Sequence, residues 1–312
     1  AQDPHLRRYV QDDEAPGGAL FRTDEPWPRV ERGWPFAEEC LAHLFKRPPP
    51  PPGVFDVRGR TLRPPPKVAE LGPTRRGGGR RVPPLAPDRF AEALAPREFF
   101  HDACESERAS CVEMYRAALE DGLGACRTME YARLGWGDAE VYELALAARA
   151  VAHPEVQVLD LSGREDAVAP LGDFGAFALG EAIGEAGAFS ALRALNLSYC
   201  PAITALPPEM GAIANLQALA LRDCTALTCL PPELGRCAAL ASLDLHGCRS
   251  LVELPPELGQ CAALASLGVG RCGAMVAVPD AIAGCASLGS IDATYCKALR
   301  SLPADLGRCS EL

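Results

Sequence analysis

A 24-residue unit recurs five times in the C-terminal part of the chain. Its hexapeptide Leu-Pro-Pro-Glu-Leu/Met-Gly begins at Leu206, Leu230 and Leu254, and degenerate copies begin at Val278 and Leu302. A fixed period of about 20–50 residues indicates one supersecondary unit per repeat, with the units stacked into a solenoid. Such a stack has a long exposed surface, which favours binding of other molecules over catalysis in a pocket.

Apolar residues of the aligned units fall into columns with the spacing L-x-x-L-x-L. The period of two at the end of this spacing is typical of a short strand with one buried face. We therefore predict one strand per unit and a parallel sheet across the units. The columns are Leu192, Leu216, Leu240, Leu264 and Leu288; Leu195, Leu219, Leu243, Leu267 and Ile291; and Leu197, Leu221, Leu245, Val269 and Ala293.

The Pro-Pro-Glu segment of each unit lies on the side opposite the strand. Proline suits the first position of a short helical turn, because its φ is fixed near −65° and its missing N–H is not needed there. We expect the following glycine (Gly211, Gly235, Gly259 and Gly307) to end the turn with a positive φ. Short helical segments on one side of each coil and a strand on the other predict a curved stack with the sheet on its concave side.

This pattern resembles the leucine-rich-repeat family, whose short repeats follow L-x-x-L-x-L-x-x-C/N with a Leu-Pro-x-x-Leu-Gly turn. Plant disease-resistance receptors and intracellular Ras-binding repeat proteins look similar. A strand signature at 156–161 followed by an apolar helical segment at 171–183 resembles the longer, ribonuclease-inhibitor type of repeat. The resemblance implies an α/β solenoid that recognises proteins on its concave face.

Helix start signals occur in the long repeat and in the segment that precedes the array. Asp173 is expected to cap the helix of the long repeat, and Asp138 to cap a helix ending at Val151, with Val141, Leu144, Ala145 and Ala148 at core spacing. Segment 134–152 is interpreted as a cap over the first coil. The predicted regions are 1–45 with a short helix, a Pro/Arg/Gly-rich linker or arm at 46–87, a helical region and cap at 88–152, and the solenoid at 153–312.

The last residue, Leu312, falls on the first leucine column of a sixth unit. An open end of a solenoid exposes unpaired strand groups, which proteins normally cover. We therefore expect either further residues or a partner at this end.

Nine of the chain's 14 cysteines fall into two columns of the array. The first column occupies the place of an asparagine ladder, where a side chain donates to the backbone, and the second exchanges with Phe189 and Ile213, which marks a buried apolar position. Disulfides between stacked coils are the alternative, but in-register parallel side chains give poor disulfide torsions. We expect free thiols in the cytoplasm or another reducing compartment, with organelle import open because the chain starts without Met. The columns are Cys200, Cys224, Cys248, Cys272 and Cys296, and Cys237, Cys261, Cys285 and Cys309.

Two Cys/His pairs at helical i, i+3 spacing form a weak candidate for a metal site. Cys40 with His43, and His101 with Cys104, together have the ligand types of a tetrahedral zinc site. The halves are far apart in sequence and neither lies in a knuckle-like turn. We favour unliganded residues, and expect no cofactor.

Proline runs at 48–52 and 64–66 and the triplet Gly77–Gly79 interrupt a basic stretch of the N-terminal third. Such composition favours extended or linker conformations. A nucleic-acid or acidic-partner arm is the alternative to a solvated linker. The arginines lack interleaved aromatics and the whole chain carries a formal charge of −10, so we expect no specific nucleic-acid binding.

The exposed positions around each strand are where a ligand is expected to bind. Tyr and Arg contribute most to interface energies, so Tyr199, Arg222, Arg271 and Tyr295 are the preferred contacts. Against this, alanine and glycine at Ala218, Ala220, Gly268 and Gly270 leave much of the face bare, and His246 is interpreted as an exposed histidine without a positioned acid. The predicted partner-binding residues are Asn196, Tyr199, Arg222, Asp223, Asp244, His246, Arg271, Asp292, Thr294 and Tyr295.

No phosphate-binding glycine loop, nucleophile elbow or paired-histidine metal motif occurs, and no apolar run is long enough to span a bilayer. The sequence therefore predicts a non-catalytic interaction module or scaffold, including a structural subunit of a larger assembly. The alternative hypothesis is a sensor or regulatory arm of a larger signalling protein or enzyme.

Overall fold

The computed structural model describes residues 37, 40, 83–96, 104–124, 126–151, 155–163 and 170–308. Two compact units divide the chain. One comprises Ala1–Gly79 with Pro87–Ala118, and the other comprises Arg80–Ala86 with Leu119–Leu312. The 24-residue repeats lie in the second unit.

Two helices, α1 (Pro87–Leu94) and α2 (Cys104–Gly124), follow the region of proline runs. Phe90 of α1 stacks on Tyr115 of α2, with ring centroids 4.0 Å apart and planes inclined by 7°. Cys111 and Tyr115, about one helical turn apart on α2, are both buried. Both helices lie in the stretch for which the sequence predicts a helical region.

Seven strands of three residues each form one parallel sheet in the order of the sequence. Helices α3 (Asp138–Ala150) and α4 (Asp173–Ala186) connect the first three strands, and short 3₁₀ helices connect the others. This is the leucine-rich-repeat solenoid predicted from the repeats, but β1 lies before the predicted array. The strands are β1 (Thr128–Glu130), β2 (Val158–Asp160), β3 (Ala194–Asn196), β4 (Ala218–Ala220), β5 (Ser242–Asp244), β6 (Ser266–Gly268) and β7 (Ser290–Asp292).

Each strand pairs in register with the next, so every apolar column of the sequence becomes a row of the core. Leu195 of β3 aligns with Leu159 on one side and with Leu219 on the other, and the row continues to Ile291. Leu159, Leu195 and Leu219 are each at most 2% exposed. Because neighbouring coils bury each other's leucines, no coil has a complete core alone.

The Pro-Pro-Glu segments form 3₁₀ helices, at Pro208–Ala212, Pro232–Arg236 and Pro256–Gln260, with equivalents at Asp280–Gly284 and Ala304–Arg308. In the first three, proline occupies an opening position, as predicted. The expected positive φ at the following glycine is wrong. Gly211 lies inside its 3₁₀ helix, and a Cβ there would lie 2.2 Å from the carbonyl oxygen of Glu233 in the next coil, so glycine is needed for close packing.

Asp138 and Asp173, predicted as helix caps, are instead the first residues of α3 and α4. The cap positions are Gly137 and Gly172, and the Gly137 N–H donates to Glu140 Oε2 at 3.0 Å. The Asp173 carboxylate accepts hydrogen bonds from the backbone N–H and the hydroxyl of Thr204 in the next coil. These bonds to Thr204 lower the pKa of Asp173 against the opposing effect of burial.

The cysteines of both columns that the structure describes are buried, except the half-buried Cys296. Free thiols occur at Cys200, Cys224, Cys237, Cys248, Cys261, Cys272 and Cys296. Cys224 Sγ donates to Leu197 O at 3.2 Å and Cys248 Sγ to Leu221 O at 3.1 Å, each across to the preceding coil. The predicted bond from thiol to backbone is thus confirmed. Cys237 and Cys261 of the second column are fully buried, as expected for an apolar position.

Several predictions fall on residues whose structure is not described. They include the proline runs, the Gly77–Gly79 triplet, His43, His101 and the end of the chain from Cys309. The zinc hypothesis and the partner at the C-terminal end therefore stay predictions. No helix in the described ranges combines the length and apolar character required to cross a membrane.

Candidate binding face on the parallel sheet

Directly after each of the strands β3 to β7, the chain turns through a left-handed backbone conformation at the same position of successive coils. Five residues that leave β3 to β7 have positive φ: Tyr199 (59°), Asp223 (55°), Gly247 (78°), Arg271 (62°) and Tyr295 (59°). Glycine adopts this conformation freely, whereas a bulky side chain makes it unfavourable. Three coils nevertheless carry Tyr or Arg there.

The Asp and Asn side chains that end four strands hold this turn in shape. The Oδ1 atom of Asn196 accepts from the N–H of Ser198 at 3.0 Å, and Asp292 accepts from Thr294 at 2.9 Å. Asp160 and Asp244 make the equivalent bonds to Ser162 and His246. One oxygen of Asn196, Asp244 and Asp292, three of the predicted partner-binding residues, therefore has a structural role.

His246 bridges two carboxylates that belong to different coils. Its Nδ1 lies 2.7 Å from Asp244 Oδ1, and its Nε2 lies 2.8 Å from Asp292 Oδ2, two strands away. An ionised carboxylate only accepts hydrogen bonds, so both ring nitrogens must donate. The bridge therefore requires the doubly protonated imidazolium.

The pKa values of the three groups agree with this assignment. Burial of the His246 ring works to lower its pKa, but the hydrogen bonds to Asp292 and Asp244 outweigh it and raise the pKa above 6.5. The hydrogen bond from His246, with those from Thr294, lowers the pKa of Asp292 to about 2. Burial works to raise the pKa of Asp244, but hydrogen bonds from His246 and Arg222 lower it overall.

Two glycines of the intervening coil make room for the imidazole. A Cβ on Gly268 would lie 2.5 Å from His246 Cε1, and one on Gly270 would lie 2.7 Å from Cδ2. The His246 side chain is 23% exposed, and both glycines are buried. The expectation of an exposed histidine without a positioned acid is therefore wrong, and the glycine positions are covered rather than bare.

Two arginines flank the bridge in different ways. Arg222 donates from Nε and Nη2 to Asp244 Oδ2, at 3.2 and 2.9 Å. The guanidinium of Arg271 lies over the ring of Tyr295, 5.9 Å from its centroid, and within the described residues it forms no salt bridge. Tyr295 is 76% exposed, so this pair presents an aromatic and a cationic group to solvent.

Seven of the ten predicted residues line one cavity of about 260 Å³. Asp244 supports it through its bonds to Arg222 and His246. Asn196 and Tyr199 lie apart from it, on the coil of β3, where Asn196 Nδ2 donates to Asp160 Oδ2 at 3.1 Å. The predicted residues in the cavity wall are Arg222, Asp223, His246, Arg271, Asp292, Thr294 and Tyr295.

The sequence interpretation missed Gly247 and Asp160. Gly247 completes the cavity wall, and a Cβ there would lie 2.1 Å from Asp223 Oδ1. Asp160 aligns with Asn196 once the 36-residue offset of the long repeat is applied. Asp160 could therefore have been found in the sequence from this offset.

The geometry is that of a leucine-rich-repeat solenoid, and solved structures with this fold resemble it. One is a leucine-rich-repeat protein of Leptospira interrogans, at 19% identity and a TM-score of 0.39, matched over 63% of this chain and 55% of that one. Another is the plant peptide hormone receptor RGFR1 in complex with RGF2, at 22% identity and 0.37, over 55% and 28%.

A third similar structure is the leucine-rich repeat domain of the type III effector XopL, at 18% identity and a TM-score of 0.31, over 70% of this chain and 83% of that one. The chain spans 55% and 28% of the first two structures. No protein-family model matches the chain, and no curated protein matches it.

Proposed function

We propose that the chain is a non-catalytic interaction module or scaffold that binds a protein partner on the exposed face of its sheet. The observation that carries this proposal is the occurrence of Tyr199, Arg271 and Tyr295 at left-handed backbone positions. A left-handed non-glycine residue costs on the order of 1–2 kcal/mol. Gly247 shows that the same turn accepts glycine.

Unfavourable backbone conformations cluster at functional sites. Tyr and Arg are the residues that most often dominate interface energies, because they bury a large area with few rotatable groups and add directional hydrogen bonds. Tyr295 with Arg271 over its ring combines both. The adjoining cavity of about 260 Å³ has the size to receive one or two side chains of a partner.

The state of His246 supports binding rather than catalysis. A histidine that acts as general base needs one unprotonated ring nitrogen directed at the reacting group. Both nitrogens of His246 instead contact carboxylates. The imidazolium stabilises the arrangement of the face and offers no free base.

Affinity purification with variants that separate binding from folding tests the proposal. Tyr199→Gly and Tyr295→Gly remove the aromatic side chains and relieve the left-handed backbone, so the double variant is expected to keep or raise the Tm. Co-purification of specific partners from cell extract is expected to fall by tenfold or more. Arg271→Gln is expected to reduce it as well.

The matched control is Arg236→Gln with Glu253→Gln, two exposed residues away from the cavity. This variant is expected to retain all partners. If the double glycine variant keeps every partner that the control variant keeps, the sheet face is not the binding surface.

A further inference from the structure

Resting on the proposed function, we infer that Asp244, His246 and Asp292 form a proton-dependent clasp that regulates the binding face. The clasp is closed while the imidazole is doubly protonated and opens when it loses one proton. It joins the coils of β5 and β7 across the coil of β6.

Opening follows from the chemistry of the two contacts. A neutral imidazole has one N–H and one lone pair, so it can donate to only one of its two carboxylates. At the 2.7 and 2.8 Å separations of the closed clasp, the other contact then places a lone pair against an anionic oxygen. One of the two bonds must break.

The coil between the two carboxylates is shaped for the ring. Position by position, Gly268 and Gly270 align with Asp244 and His246 of the preceding coil and with Asp292 and Thr294 of the following one. Neither glycine has a positive φ, so the backbone conformation does not require glycine there. The requirement is space, because a Cβ at either position would lie within 2.7 Å of a ring atom.

Charged groups from four coils face or adjoin the clasp. Arg222 pairs with Asp244, and Asp223, Arg271 and Asp292 line the same cavity as His246. In the closed clasp the six groups comprise three cations and three anions. Loss of the His246 proton leaves an excess negative charge and frees a carboxylate oxygen in the cavity wall.

This change would alter what the face can bind. In the closed state Asp292 is neutralised by His246, and the Arg271 guanidinium over Tyr295 remains available to a partner. Asp292 is the more exposed of the two carboxylates, at 44% against 29% for Asp244, so its bond to His246 is the one that opens. The freed Asp292 carboxylate then competes for Arg271 and repels acidic partner groups. We therefore expect binding of an acidic partner surface to weaken as pH rises through the titration of His246.

NMR titration of the purified full-length chain tests the clasp without any partner. The chain has five histidines, and His246→Gln identifies the His246 resonances by their loss. The His246 imidazole is expected to titrate above 6.5, with both ring nitrogens protonated below the transition. Asp292→Asn is expected to shift the titration down.

Glycine variants sharpen the test because they change no charge. Gly270→Ala and Gly268→Ala should displace the ring and move the His246 titration back towards 6.5. Gly273→Ala, in the same coil with nothing within 4 Å of its Cβ, should leave it unchanged. Titration of His246 at or below 6.5 in the wild type, or equal titrations in Gly270→Ala and Gly273→Ala, would overturn the clasp.

Regulation is tested by capture of partners at pH 6 and pH 8. The wild type is expected to capture several-fold less at pH 8, and His246→Gln to lose this difference. If capture is independent of pH while the double variant Tyr199→Gly with Tyr295→Gly still abolishes it, the regulation is wrong and the proposed function stands. If His246 titrates as expected but this double variant keeps its partners, the proposed function is wrong.

Discussion

The carboxylate of Asp138 bonds to the backbone of Gly175, which lies 37 residues later along the chain, at a distance of 2.9 Å. The same oxygen accepts from the N–H of Gly172 at 2.8 Å. One side chain at the start of α3 therefore satisfies two N–H groups at the start of α4, which have no partner within that helix.

Replacement of Asp138 by alanine is expected to lower the free energy of unfolding by about 1–3 kcal/mol, because the N–H groups of two buried glycines lose their acceptor. Asp138→Asn keeps an oxygen acceptor and should lose less. Urea denaturation measures the change. The exposed Asp121→Ala is the control, and equal stability of the two alanine variants would contradict the structural role of Asp138.

Substitution of Gly235 tests how tightly neighbouring coils pack on the side opposite the sheet. A Cβ at this position would lie 2.3 Å from the carbonyl oxygen of Glu257, so Gly235→Ala must displace the backbone of the next coil. We expect a loss of about 1–3 kcal/mol, as for overpacked cores, measured by chemical denaturation. Gly273→Ala, whose Cβ meets open space, should be neutral or slightly stabilising. Similar losses in both variants would contradict the close packing.

The cysteine columns predict a pattern of thiol reactivity. Burial raises the pKa of Cys224 to about 12 and that of Cys237 to about 11, so neither forms the reactive thiolate at pH 8. Cys229 is exposed and should be alkylated by iodoacetamide before either of them. Peptide mass spectrometry of native and urea-unfolded protein checks this. Labelling of Cys224 as fast as Cys229 in native protein would contradict the structure.

The clasp also predicts how stability depends on pH. The pKa of His246 is raised in the folded chain above 6.5, so its stabilisation is complete below about pH 6.5 and is lost as pH rises through the folded pKa. Above about pH 9 the buried thiols add a further loss, because unfolding lets them ionise. Denaturation between pH 6 and 8 therefore avoids ionisation of the thiols, and His246→Gln should reduce the loss of stability over this range. If the free energy of unfolding depends on pH with the same slope in His246→Gln, another group causes that dependence.

Repetition made the core predictable from the sequence. Each leucine column consists of residues one period apart, and parallel in-register pairing converts the period directly into a row of contacts. β1 was missed because its sequence, Thr128 to Glu130, has a single central apolar residue, Met129, and lies outside the period. Its place in the sheet is given by pairing with β2.

The site was less predictable, for physical reasons that concern particular residues. The period identified Asp244, His246 and Asp292 as exposed. Whether the side chain of His246 can cross a coil depends on the absence of side chains at two positions of that coil. Gly268 and Gly270 suggested a bare surface when read alone, and they become a space for His246 only in the folded chain. Likewise, no local pattern shows that Asp138 bonds to the following coil rather than to its own helix.

The glycines opposite the sheet have a consequence for the partner. At Gly211, Gly235 and Gly259, main chain meets main chain, so the step from coil to coil is determined by atomic radii and cannot be tuned by exchanging side chains. On the sheet side, adjacent strands are about 4.8 Å apart. The exposed tyrosines and arginines at equivalent positions are therefore held at a fixed spacing. Any molecule that contacts several of them must carry matching groups at whole multiples of that interval.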